Sequence, residues 1–90
     1  MSRAYRRTDS VAHLVIDGES IVLFEDRFVR LGPLGTCLVT TAEVPRTNDD
    51  LAAALTDAFG PPARGSAVDA TRAAVADLVA QGILQEVVGD

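Results

Sequence analysis

Tryptophan and lysine are missing from this 90-residue chain, and cysteine, histidine, methionine and tyrosine occur once each. Each scarcity excludes something. A single cysteine, Cys37, forbids an internal disulfide and favours a reducing, cytoplasmic setting. One histidine, His13, with no second cysteine and no clustered carboxylates, cannot supply the about three or four ligands of a metal site. It reads as a half-exposed strand residue. No apolar run approaches the roughly 18 residues that cross a membrane. The opening MSRAYRRTDS lacks the apolar stretch of a secretory signal. There is no glycine-rich phosphate cradle and no Ser-His-Asp grouping, so neither a cofactor nor catalysis by this chain is expected. Nor is there a basic excess: at a net charge of −5 the chain has no counterion-displacing face for nucleic acid.

What is present suits one small globular domain. The chain is 48% hydrophobic and 23% charged, enough for a modest core but not for a deep enzyme cleft. Arg3, Arg6 and Arg7 cluster in residues 1–9, which read as a mobile, solvated arm ahead of a single domain spanning 10–88. Within it, 11–16 (VAHLVI) and 20–24 (SIVLF) alternate as strands around Asp17-Gly18, a tight-hairpin signal because both residues tolerate positive φ. A second turn at Glu25-Asp26 leads to a third strand, 27–31. Residues 33–42 follow as a helix with Leu34, Cys37 or Leu38 and Thr41 inward, Cys37 serving as a small hydrophobe.

Two further helices carry clear punctuation. Thr47 caps one, with Asp50 three residues on to return the hydrogen bond, and Gly60 followed by Pro61-Pro62 ends it. Asp49 and Asp50 meet the positive end of its dipole and need no acid–base role. Ser66 and Asp69 open the last helix, and Gly82 closes it. The final ILQEVV (83–88) reads as a short strand or as Ile83 and Leu84 packing on the core. The expected architecture is therefore α+β and winged-helix-like: a three-stranded antiparallel sheet followed by three helices. The sheet precedes the helices, unlike the usual order in DNA-binding winged helices.

The stretch EDRFVRLGPL concentrates the functional signal. Arg27, Val29 and Leu31 point one way and Phe28 and Arg30 the other, before Gly32-Pro33 turns the chain into a helix start. An unpaired edge on this strand would accept a foreign strand through its free N–H and C=O groups. Which face is buried stays open. If Val29 and Leu31 go inward, Phe28 is exposed and becomes a ligand platform.

Across residues 10–85 the chain resembles the PqqD-like domains, also described as precursor-peptide recognition elements of ribosomal peptide biosynthesis. The resemblance rests on VAHLVIDGESIVLFE, the junction RFVRLGPLG, and the helices NDDLAAALTDAFG and ATRAAVADLVAQGIL with its closing Gly82-Ile83-Leu84. It implies a binder without chemistry of its own, holding the leader of a precursor peptide as an added antiparallel strand. A separate tailoring enzyme or leader peptidase would receive that peptide, and a domain of this size suits lasso-peptide biosynthesis. Carried onto this chain, the binding strand is Arg27, Phe28, Val29, Arg30 and Leu31. The helical wall is Arg72, Val75, Ala76 and Val79, with small Ala76 leaving room for a leader side chain. Arg27, Arg30 and Arg72 would meet leader carboxylates, or else they serve only as charges that guard an edge. The competing readings are a winged-helix DNA-binding regulator and a structural subunit that dimerises through its edge strand or an apolar helix face, with no peptide ligand.

Overall fold

The computed structural model describes residues 3–9 and 12–88. Its first local feature is the hairpin. Asp17 (φ 52°) and Gly18 (φ 79°) both adopt left-handed backbone, the two-residue turn whose twist matches flanking strands. That turn pairs strand β2 (Ala12–Ile16) with β3 (Glu19–Leu23), from Ile16 opposite Glu19 to Ala12 opposite Leu23. The second turn closes without glycine, through a 2.8 Å bond from the Phe24 N–H to the Arg27 carbonyl. It brings β4 (Phe28–Leu31) beside β3, with Val29 opposite Val22 and Leu31 opposite Ser20. The meander order is β2-β3-β4, leaving β2 and β4 as its two edges.

Helix α1 (Pro33–Thr41) starts with proline in its first turn, where no N–H is missed. Helix α2 (Asn48–Phe59) has the full reciprocal cap: the Asp50 N–H donates to Thr47 Oγ1 at 3.1 Å, and the Thr47 N–H to Asp50 Oδ2 at 3.2 Å. Helix α3 (Ala67–Ala80) begins with the Asp69 N–H donating to Ser66 Oγ at 3.0 Å. Strand β6 (Leu84–Val88) then runs off the core while Ile83 and Leu84 stay fully buried, so both expectations for the chain's ending hold together.

The N-terminal expectation needs correcting. Arg3–Arg7 is not a mobile arm but a strand, β1, central in a second antiparallel sheet. It pairs with β6 over its whole length, from Arg3 opposite Val88 to Arg7 opposite Leu84, and with the two-residue strand β5 (Arg46–Thr47) on its other side. Further bonds lock it in place. The Arg7 N–H donates to the Ala42 carbonyl at 2.8 Å and the Thr8 N–H to the Ile83 carbonyl at 3.0 Å, while Arg3 pairs with Glu86 at 3.2 Å. The α+β class stands, but among the described residues it holds six strands in two three-stranded sheets, with three helices.

The core lies where the meander, the helices and the start of β6 meet: Val22, Leu31, Leu38, Val39, Leu51, Val75, Leu78, Ile83 and Leu84. Each fully buried aliphatic contributes about 1.5–3 kcal/mol relative to exposure. Helix α1 buries only part of the expected face. Thr36, Leu38 and Val39 are buried, Cys37 is half-buried and Leu34 is exposed. Leu38, Val39 and Ala42 anchor this face in the core. Thr36 is tolerated there because its hydroxyl meets Ser20 Oγ at 2.7 Å, which satisfies both buried groups.

Candidate functional site

The hydrogen bond that closes the second turn also sets the parity of β4. Phe24 and Arg27 form a hydrogen-bonded pair, so the alternation of an antiparallel ladder makes Val22–Val29 and Ser20–Leu31 hydrogen-bonded pairs too. The N–H and C=O groups of Val29 and Leu31 are therefore committed to β3. Those of Phe28 and Arg30 face away from it, along the open edge. Side chains follow the opposite rule. Val29 and Leu31 turn toward the helices, and Leu31 is only 8% exposed, whereas Phe28, at 63%, and Arg30 lie on the outer face. The open question about this strand is thus answered: Val29 and Leu31 form the inward set.

Across from the β4 edge runs α3. Between them is a cleft of about 300 Å³ lined by Val29, Arg30 and Leu31 on one side and by Ala74, Asp77, Leu78 and Gln81 on the other. Gly32, Gly35 and Leu38 complete it. Gly35 has a defined part: a Cβ there would sit 3.4 Å from the Leu31 side chain, so its absence lets the first turn of α1 close on β4 and keeps the cleft wide. The floor is apolar and small-residued. On the helix side its polar side chains are Asp77 and Gln81, the Asp77 carboxylate accepting from Gln81 Nε2 at 3.0 Å.

The expected wall residues do not line this cleft together. Val75 is buried in the core and Val79 is half-buried against it. Arg72 and Ala76 face a different, polar cleft of about 850 Å³ on the opposite side of α3, shared with Arg3, Tyr5, Asp49 and Asp50. The second sheet explains the offset. With β1 and β6 occupying one flank of α3, the helix turns Ala74 and Asp77 toward β4 and the Arg72 side away from it. Arg27 also has a structural task. Its guanidinium donates to the Gln81 carbonyl at 2.8 Å and lies 4.0 Å over the Phe24 ring, joining the start of β4 to the end of α3. Of the three arginines singled out, Arg30 alone both lines the β4 cleft and has no ion pair among the described residues. Sequence reasoning missed Ala74, Asp77, Leu78 and Gln81. Their helical spacing, with Ala70 one turn before Ala74, was the available signal.

No protein-family profile matches this chain, and no curated protein matches it. Among solved structures, its fold is similar to part of the heterocyclase TruD, with a TM-score of 0.68 over 94% of this chain at 20% identity. The chain corresponds to 12% of that protein's length, and at this identity the likeness is one of fold.

Proposed function

We propose that this domain binds the leader segment of a ribosomally made precursor peptide in the cytoplasm and presents it to a separate tailoring enzyme or leader peptidase, without catalysing a step itself. The observation that carries this reading is the open edge of β4, backed by a cleft whose floor is apolar. Outward N–H and C=O groups of Phe28 and Arg30 supply backbone bonding that any peptide can satisfy, and alternate peptide side chains enter the cleft beside Ala74 and Leu78 for selectivity. Arg30, on the rim, suits a leader carboxylate. In the heterocyclase the same fold is part of an enzyme's own chain, which agrees with service to a modifying enzyme, here supplied separately. The net charge of −5 weighs against the DNA-binding alternative.

Isothermal titration with the leader of a precursor encoded beside this chain tests the reading. Some ten residues pairing on one strand and filling two or three sites should give a Kd from nanomolar to low micromolar, about −8 to −12 kcal/mol. Amide resonances of Phe28–Leu31 should move on binding. Absence of heat at about 100 µM, with those resonances unmoved, removes leader binding as the function.

A further inference from the structure

A single side chain bridges the start of β4 and the end of α3. Arg27, just ahead of β4, does not itself line the cleft. Its guanidinium is engaged within the domain three times over. It donates to the Gln81 carbonyl at 2.8 Å, lies 4.0 Å over the Phe24 ring and comes within 3.9 Å of the Asp26 carboxylate. Among the described residues, no other hydrogen bond joins residues 27–31 to α3 or its C-terminal cap.

The bridge lands where α3 needs it. Gln81 caps the helix, Gly82 (φ 79°) turns the chain away, and the last turn carries no basic residue. The carbonyls there are the negative end of the helix dipole, and the cation that meets them comes from the neighbouring strand. Gln81 is also part of the cleft wall, and both of its ends are held: the carbonyl by Arg27, the side-chain amide by Asp77 Oδ2 at 3.0 Å. Leu78 and Ile83 anchor the helix end in the core. The Arg27 bridge fixes Gln81, which lies between them, against the start of β4.

We infer that Arg27 is a positioning residue for peptide selectivity: it holds Gln81, and through Gln81 the Asp77 carboxylate, at a set distance from β4, and so limits the size of side chain the cleft accepts. It acts through the wall, in place of a direct contact with peptide carboxylates. The inference rests on the peptide-binding reading and adds to it a residue that shapes the groove without touching the ligand.

The test uses peptides that give an arginine nothing to read. Twelve-residue peptides from a phage library without Asp or Glu are selected on the wild-type protein. Those whose C-terminally amidated forms shift the Phe28–Leu31 amides are carried forward. Arg27→Met keeps an unbranched stem over Phe24 and removes every donor; Arg27→Gln serves if methionine disturbs the fold. Either should weaken these peptides about fivefold, and equally at about 50 and 500 mM salt. An alanine scan of each peptide gives the signature: losses at the residues that enter the cleft should shrink in the variant, while losses elsewhere stay. Arg27→Lys, which can still donate to the Gln81 carbonyl, should restore both affinity and profile. A loss seen only with peptides from an unrestricted library that contain acidic residues, and fading with salt, would make Arg27 a direct reader and overturn the inference. Wild-type affinity in Arg27→Met, or a uniform drop that leaves the scan profile unchanged, would overturn it too. If no peptide shifts Phe28–Leu31 in the wild-type protein, the peptide-binding reading itself fails and this role with it.

Discussion

The two edges of the meander are made from similar residues and end up in opposite situations. On β2, the outward backbone groups belong to His13 and Val15, and Leu14, Val15 and Ile16 are 53%, 50% and 70% exposed. Neither of the clefts beside α3 lies along this edge. On β4, the inner residues Val29 and Leu31 lie under α1 and α3, and the open edge looks across a cleft at Ala74 and Leu78. A bare edge offers backbone bonds to any strand and is a hazard of self-association. An edge with a wall offers them only to a strand whose side chains fit the wall. In this molecule the wall, more than the strand, distinguishes a candidate binding site from a liability.

The contrast breaks most visibly with proline. Val29→Pro removes an N–H that β3 needs and orphans the Val22 carbonyl, so it should destabilise the fold by about 2–4 kcal/mol, read by urea denaturation. Arg30→Pro removes an N–H that faces outward. That variant should keep a wild-type circular dichroism spectrum while leader titration loses its heat. If Arg30→Pro also unfolds, the ladder parity assigned to β4 is wrong.

Plugging the wall should cost less than breaking the edge. Ala74→Leu should lower leader affinity by at least about tenfold, near 1.4 kcal/mol, with the fold retained. Val15→Glu on the opposite edge should leave that affinity unchanged and suppress self-association in sedimentation experiments. Equal losses from both would mean that the peptide uses the two edges alike. A third pair sharpens the outline of the cleft. Arg30→Ala should weaken leader binding about threefold, and less so as salt rises, because an exposed rim contact with a leader carboxylate is modest and screened. Arg72→Ala and Arg64→Ala should bind as wild type, Arg72 because it lies across α3 from the cleft.

The smallest effect concerns the β2 edge. Burial, and then the neighbouring Arg7 charge, hold the His13 imidazole below its ordinary value of 6.5, against a weaker opposing pull from Glu43. The unfolded chain therefore takes up the proton first. Stability should be level above about pH 6.5 and decline as pH falls below it, since the unfolded state then binds more protons. His13→Gln should flatten that decline in urea melts compared at about pH 7.5 and pH 5.5.

Most of the local structure was legible because its causes are local. Asp17-Gly18 announces a hairpin, Thr47-Asp50 and Ser66-Asp69 announce helix starts, and the alternation of 27–31 announces a strand with two faces. The charged pentapeptide RAYRR announces nothing, since its partners are Leu84–Val88 and Arg46–Thr47, far along the chain. Its omission then propagated to the site. Helical periodicity shows that α3 has an apolar side, but only the β1–β6 sheet determines which remaining side turns to β4, so Arg72 and Ala76 line a different cleft from Val29 and Leu31. The burial of Val29 rather than Phe28 likewise depends on packing partners that a strand's own alternation does not name.

The register of the second sheet has a topological consequence. Arg3 lies directly opposite Val88, so the described chain enters and leaves the fold as ladder neighbours, about 5 Å apart. A unit with adjoining portals can be spliced into a host loop, or circularly permuted by bridging those portals, with little distortion of its interior. The recurrence of this fold as a small fraction of a much longer protein is the arrangement such geometry permits. It also makes the β1–β6 seam the place to cut: opening the chain at the Gly60–Gly65 loop and joining residues 3 and 88 by a short linker should yield a permuted domain with the same core.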